Sequence, residues 1–261
     1  MDTSTAFEAA ISKRLEETRE APFATLDFDN TCIVNDVGEA TLAFICENNL
    51  LRCSDLLPSG GKPGDPNYHG QVFRHYHQLL NGGDIRAASL LCARILAGFK
   101  PDEAAAVVTA ALDAQGNIPG EGELFGILIA RGLAVRPALQ RLIEFSTANA
   151  IEIWIVSASP AIAVQAAMQR FGLPGHLIAL RHRIVDGVLS RTLVAPHSIA
   201  EGKVDCIKTF IDGKERPLFA VGDSVYDIPM LEYARLRAVV ERDNAMTQEA
   251  RRRRWFVLPP W

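Results

Sequence analysis

The sequence predicts an α/β fold: a parallel sheet covered by helices on both faces, with an all-helical insert after the first strand. Three observations predict it. From residue 135 onward, short apolar strands alternate with amphipathic helices, the pattern of a sheet built from strand–helix units. Between residues 35 and 134 one helical segment follows another with no strand signal. The chain has 261 residues, 48% hydrophobic and 22% charged, enough for one sizeable core and a second, smaller module. The expected division is a core of residues 1–34 and 135–261 and a helical insert of residues 35–134.

Each element has its own reason. Residues 4–20 read as a helix because Phe7, Ile11 and Leu15 recur every four residues, with Pro22 closing it. FATLDF reads as a buried strand. In the insert, GEATLAFICENNLL carries Leu42, Ile45 and Leu50 on one side, and SGGKPGDPNYHG is a Gly/Pro loop. QVFRHYHQLL, DIRAASLLCARILAG and PDEAAAVVTAALDAQG read as helices, the last with Pro101 in its first turn. RPALQRLIEFSTAN presents Leu139, Leu142 and Ile143 on one helical face, and IEIWIVS is a strand. PAIAVQAAMQRFG is a helix that opens on proline and stops at glycine. HLIAL is a short strand, and RIVDGVLSRTLV is a hairpin turning at Asp186-Gly187. EGKVDCIKTFI, PLFAVG, VYDIPMLEYA and LRAVV then read as helix, strand, helix and strand.

Bulk properties exclude several functions. A formal net charge of −4 argues against a nucleic-acid binder, and the arginine run 251–254 reads as a solvated face. Five cysteines without C-x-x-C or zinc spacing point to free thiols in a reducing compartment. The polar N-terminus lacks the apolar centre of a signal peptide. The longest apolar run, FGILIA, falls far short of a membrane span. The expectation is a cytoplasmic protein.

Three strands end in residues with chemical potential. ATLDFDNT ends in Asp27 and Asp29, IEIWIVSAS in Ser157 and Ser159, and LFAVGDSVYD in Asp223, with Asp227 a turn further on; Lys203 opens the helix GKVDCIKTF. Ligands of open parallel sheets bind beyond the carboxyl ends of the strands, where folding brings these groups together. Two like charges 4 Å apart cost roughly 4 kcal/mol at an effective dielectric of 20. One lysine does not offset four carboxylates, whereas a divalent cation does. Oxygen-only ligands favour Mg²⁺ over zinc.

The stretches DFDNT, IVSAS, EGKVDCI and GDSVYDIPML occur in that order from Asp27 to Leu231. They resemble the four motifs of the haloacid dehalogenase-like (HAD) hydrolase superfamily. The resemblance implies a Rossmann-like core and phosphoryl transfer through an aspartyl-phosphate. Asp27 would be the nucleophile and Asp29 the general acid and base. Ser157 and the backbone near Asn30 and Thr31 would hold phosphate oxygens, and Lys203 would neutralise the phosphate and Asp27. Mg²⁺ would be held by Asp27, the Asp29 carbonyl and Asp223, with Asp227 supporting it. The second aspartate separates the family's phosphatases from its dehalogenases, so a phosphatase is expected.

The insert resembles the type-one helical cap of the phosphoserine phosphatase-like branch. Three departures bear on substrate. Motif two reads SAS rather than Ser-Gly-Gly, Tyr226 stands where an asparagine is usual, and Asp36 stands where a glutamate recognises the serine amine. These features look closer to phosphorylcholine phosphatase-like relatives. The expected partner is a small phosphomonoester, an amino-alcohol or amino-acid phosphate such as phosphorylcholine, phosphorylethanolamine or phosphoserine. Asp36 and Tyr76 are its candidate contacts on the insert side, the aromatic ring offering a cation–π face. Phe73, Tyr76 and Leu80 equally have the spacing of a helix core. A phosphotransferase and a phospho-accepting signalling domain are the alternatives; the long insert and the paired aspartates oppose the second.

Overall fold

A computed structural model describes residues 2–17, 21–211 and 216–260. Helix α1 (Thr3–Glu16) is capped by Asp2, whose carboxylate accepts the Thr5 N–H at 3.0 Å. It ends a turn before the expected residue 20; residues 18–20 lie outside the described residues. Strand β1 (Phe23–Leu26) is buried throughout. The chain then passes β2 (Ile33–Val34), α2 (Val37–Glu47), α3 (Tyr68–Asn81), α4 (Ile85–Arg94) and α5 (Pro101–Gln115). It continues through β3 (Gly120–Leu124), β4 (Ile127–Arg131), β5 (Ala134–Val135), α6 (Pro137–Ala148), β6 (Glu152–Pro160), α7 (Ala161–Phe171) and β7 (His176–Leu180). The last part runs β8 (His182–Val185), β9 (Val188–Leu193), α8 (Gly202–Phe210), β10 (Phe219–Gly222), α9 (Ile228–Tyr233), β11 (Leu236–Val240), α10 (Ala245–Arg252) and β12 (Phe256–Leu258).

Among the described residues, six parallel strands form the central sheet in the order β12-β11-β10-β1-β6-β7. Alternation along the strands sorts side chains to its two faces. Ala24, Leu26, Phe219, Val221, Ala238 and Val240 face α1, α6 and α7, where Phe7 packs edge-on against Phe219 with centroids 5.5 Å apart. Phe23, Ala220 and Val239 face α8, α9 and α10. Both faces are therefore dry, as a parallel sheet requires. Strand β1 has β6 on one side and β10 on the other, so a crevice opens beyond its C-terminal end. The chain leaves the sheet region through β2 and returns through β5, and these two short strands pair antiparallel.

The insert is not all-helical. Strands β3 and β4 form a hairpin in five-residue register, from Gly120↔Arg131 to Leu124↔Ile127. Phe125 (φ 50°) and Gly126 (φ 79°) make its turn, a handedness that suits strand twist. The stretch GEGEL shows no apolar period because Glu121 and Glu123 lie in water, while Leu124 and Ile129 are buried.

Four further elements were not expected: α10, the three-residue edge strand β12, and the two-residue strands β2 and β5. The arginine run at the end of α10 is exposed and ion-paired: Arg251 with Glu241, Arg252 with Glu249, and Arg253 with Glu232 and Glu249. The hairpin β8–β9 turns at Asp186-Gly187 as expected, both at positive φ. The five cysteines are buried free thiols. Among the described residues, no helix is long and apolar enough to cross a membrane.

Candidate active site

Asp27 follows β1 directly, and its N–H continues the ladder onto Val221 O at 2.9 Å. The strand thus delivers a carboxylate to the crevice, 7% exposed. Asp27 Oδ1 accepts from Lys203 Nζ at 2.6 Å and Oδ2 from Thr31 Oγ1 at 2.9 Å. The Thr31 hydroxyl also lies 3.2 Å from Asp223 Oδ1, so one proton serves two carboxylates. Lys203 Nζ donates to Asp227 Oδ1 at 2.6 Å. Asp227 Oδ2 accepts the backbone N–H groups of Asp223 and Ser224, each at 3.1 Å. Glycine at 222 permits this arrangement, since a Cβ there would stand 2.6 Å from Asp227 Cβ. Arg242, in the loop after β11, donates to Asp223 Oδ2, and Asn244 Nδ2 donates to Asp223 O at 2.8 Å.

The turn after β1 is closed by Ile33 N–H donating to Phe28 O and holds Asn30 at φ 58°, a left-handed conformation that asparagine tolerates. It swings the Asp29 carboxylate toward α2. Asp29 Oδ1 accepts Val37 N–H at 2.7 Å, and Oδ2 accepts Ser159 Oγ at 2.7 Å and Ser157 Oγ at 3.1 Å. Gly38 allows α2 this close, because a Cβ there would lie 2.8 Å from Ser159 Oγ. Ser157 is fixed further by Ser159 N–H on its Oγ (3.0 Å) and by Ser198 Oγ on its carbonyl (2.6 Å).

These groups border a cavity of about 280 Å³ between the sheet edge and the insert. Its lining includes six carboxylates (Asp27, Asp29, Asp36, Glu39, Asp223, Asp227) and two cations (Lys203, Arg242). Burial pushes Asp27 up to about 8 against the pull of Lys203. Asp223 rises to about 6 through burial and the Asp227 charge. Asp29 is held well above the usual carboxylate range by burial, Asp36 and Asp27. Burial alone would lower Lys203, but Asp227 and Asp27 outweigh it and hold the ammonium charged.

One oxygen from each of Asp27, Asp223 and Asp227 lies within 4.8 Å of the others. Asp27, Asp223 and Asp227 carry three negative charges against the two cations Lys203 and Arg242, so the cluster as a whole is one positive charge short. Uncompensated buried charge is costly, and an all-oxygen donor set suits a hard divalent cation. The residues fit such an ion.

The family model for the haloacid dehalogenase-like hydrolases matches residues 24–232. The chain belongs to that family. No curated protein matches it in sequence. Its fold is similar to a Bordetella pertussis Tohama I protein of unknown function, with a TM-score of 0.70, 19% identity, and coverage of 93% of this chain and 100% of the other. It is also similar to a substrate-bound phosphoserine phosphatase, with a TM-score of 0.55, 14% identity and coverage of 89% and 91%. A phospho-aspartyl intermediate analogue of phosphoserine phosphatase gives a TM-score of 0.55, 14% identity and coverage of 92% and 93%.

Asp27, Asp29, Asn30, Asp36, Tyr76, Lys203, Asp223 and Asp227 of this HAD hydrolase all line the one cavity. Ser157 and Thr31 do not. Ser157 and Ser159 both donate to Asp29 Oδ2, and of the two Ser159 borders the cavity. The Thr31 hydroxyl is engaged by Asp27 and Asp223. Asp36 Oδ1 caps α2 by accepting Glu39 N–H at 2.8 Å. Sequence reasoning missed Arg242 and Glu39 as lining residues, and neither carries a local signal; it places Ser159 at its strand end but gives it no role.

Proposed function

We propose that this HAD hydrolase is a Mg²⁺-dependent phosphomonoesterase that acts through an aspartyl-phosphate on a small amino-alcohol or amino-acid phosphate. The observation that carries the reading is the contrast between its two leading aspartates. Burial raises both carboxyls, but Asp27 has the Lys203 ammonium against it, pulling it back toward the ionised form, whereas Asp29 is met by hydroxyls and a backbone N–H and, among the described residues, by no cation. One is equipped to attack and the other to donate a proton. The fold shared with phosphoserine phosphatases agrees with it.

In the first step an Asp27 oxygen bonds to phosphorus, the bond to the ester oxygen breaks, and Asp29 gives its proton to the departing oxygen. In the second, Asp29 takes a proton from water as the water oxygen attacks phosphorus, releasing phosphate and restoring Asp27. Ser157 and Ser159 can hydrogen-bond Asp29 in both states, because a hydroxyl donates or accepts. Lys203 compensates the negative charge on Asp27 and the phosphoryl group, aided by backbone N–H groups near Asn30 and Thr31. Mg²⁺, held by Asp27, the Asp29 carbonyl and Asp223 and supported by Asp227, would supply the remaining positive charge. Residues 35–134 would serve as a cap that keeps bulk water from the cavity, with Asp36 and Tyr76 on its substrate side.

The test is phosphate release with Mg²⁺ from phosphoserine, phosphorylcholine, phosphorylethanolamine and p-nitrophenyl phosphate. Turnover of at least one is expected. If all four stay intact, the reading fails.

A further inference from the structure

The insert wall of the cavity carries an unmatched charge. Asp36 and Glu39 enter from the start of α2, Tyr76 and Leu80 from α3, and Cys92 from α4. Lys203 and Arg242, the lysine and arginine of the lining among the described residues, both lie on the core side. Each is bound to aspartates there.

Asp36 and Glu39 differ in their partners. Asp36 Oδ1 holds the first turn of α2 together. Among the described residues, no hydrogen-bond donor reaches the Glu39 carboxylate; its nearest basic neighbour is His77 Nε2, 3.7 Å away. Burial disfavours a charged His77, and its Nε2 has no hydrogen-bond partner. Beside them Tyr76, 4% exposed, borders the cavity with a hydroxyl that makes no hydrogen bond among the described residues. Among the described residues, a carboxylate without a donor and a hydroxyl without a partner thus border one cavity.

We infer that Glu39, with Tyr76 beside it, is the specificity-determining subsite for a leaving group that bears an ammonium charge and no carboxylate. The assignment rests on the phosphatase reading above. An ammonium group would supply the missing positive charge opposite Glu39 and lie against the aromatic face of Tyr76. A carboxylate on the same leaving group would meet Asp36 and Glu39, and the cation whose field reaches Asp36, Arg242, is already bound to Asp223; among the described lining residues the insert itself supplies no lysine or arginine. Amino-alcohol phosphates are therefore favoured over amino-acid phosphates. Asp36 keeps its place as the cap of α2 and contributes negative charge from behind.

The experiment compares kcat/KM for phosphorylethanolamine, phosphoserine and glycerol phosphate, with p-nitrophenyl phosphate as a reference. The parent should prefer phosphorylethanolamine to each of the other two natural esters by at least tenfold. In Glu39→Gln the ratio of phosphorylethanolamine to p-nitrophenyl phosphate should fall at least tenfold, mainly through KM, and Glu39→Asp should recover part of it. A thermal melt verifies the fold of each variant. An unchanged ratio in Glu39→Gln, or a preference for phosphoserine, overturns the inference while leaving the phosphatase intact. Inert p-nitrophenyl phosphate together with inert natural esters overturns the phosphatase reading. Calorimetry then decides the subsite separately: ethanolamine should bind the parent at least tenfold more tightly than Glu39→Gln, and equal binding or none overturns it.

Discussion

The two walls of the cavity treat negative charge in opposite ways. On the core wall, the carboxylates of motifs one and four have built-in partners: Asp27 and Asp227 share Lys203, Thr31 bridges Asp27 and Asp223, and Arg242 holds Asp223. On the insert wall, Glu39 has no donor among the described residues and Asp36 is engaged with its own helix. A set of groups held in place before a ligand arrives is what charge development in a transition state demands. A wall that keeps an unmatched charge instead selects which ligand completes it. On the proposed reading, chemistry belongs to the core wall and choice to the insert wall.

The strongest way to break that division is on the core wall. Asp27→Asn removes the attacking oxygen yet keeps shape and volume, and Lys203 retains Asp227. Loss of about 10³-fold or more in phosphate release is expected for every ester alike. Full activity in this variant would end the nucleophile assignment. Asp29→Asn cannot donate the proton, and a loss of about 10²-fold or more is expected. The loss should be smaller for p-nitrophenyl phosphate, whose departing oxygen needs little protonation. An equal loss on poor and good leaving groups would count against Asp29 as the acid.

Thr31→Val tests the bridge. Its hydroxyl touches no part of the cavity but joins Asp27 to Asp223. Removing such an outer partner typically costs about 10- to 100-fold in metal affinity. Mg²⁺ titration of activity should show that shift with kcat at saturation much less affected.

On the insert wall the comparison can be sharpened with pH. Burial and the Asp36 charge push Glu39 up to about 7 from 4.5. The facing groups are Asp36 on its own helix and Tyr76, His77 and Cys92 on α3 and α4. A carboxyl whose folded value is raised contributes stability that is complete below its unfolded value and disappears as pH rises through the folded one. Stability of the ligand-free protein should therefore fall between pH 4.5 and 7, by about 3 kcal/mol from this group. Denaturant melts of Glu39→Gln should lack that component. An identical pH slope in parent and variant would show that Glu39 is better matched than its surroundings indicate.

How much of this was legible in the sequence depended on range. Asp27, Asp223 and Lys203 stood out because apolar strands and a helix start pointed to one sheet edge, and a parallel sheet leaves its crevice there. Glu39 reads in sequence as an ordinary first-turn helix glutamate, and Arg242 as one more loop arginine. Their meaning comes from α3 and from Asp223, contacts that no local pattern encodes. The hairpin β3–β4 escaped for a related reason. GEGEL buries little of itself, so its strand character comes from pairing with β4 rather than from an apolar period. Ser157 was expected at the phosphate; motif two has two hydroxyls, both reach Asp29 Oδ2, and Ser159 is the one that also borders the cavity, a difference of side-chain direction that the motif's spelling does not carry.

Tyr226 joins the two walls and gives the smallest expected effect. It sits between Asp223 and Asp227, lines the cavity, and donates its hydroxyl to Gly83 O at 3.2 Å in the turn between α3 and α4. Gly83 adopts φ 80°, a conformation that suits glycine and brings its carbonyl to the ring. Tyr226→Phe keeps the ring and loses that bond, a half-exposed hydrogen bond of about 0.5–1.5 kcal/mol. If the insert closes over the cavity, the bond favours the closed form, and its loss should raise KM about two- to fivefold while kcat changes less. Melting temperature should fall by no more than a few degrees, because the bond links a surface turn rather than the core. A fall in kcat with unchanged KM would place Tyr226 in the chemistry of the core wall, and the line between the two walls would have to be redrawn through it.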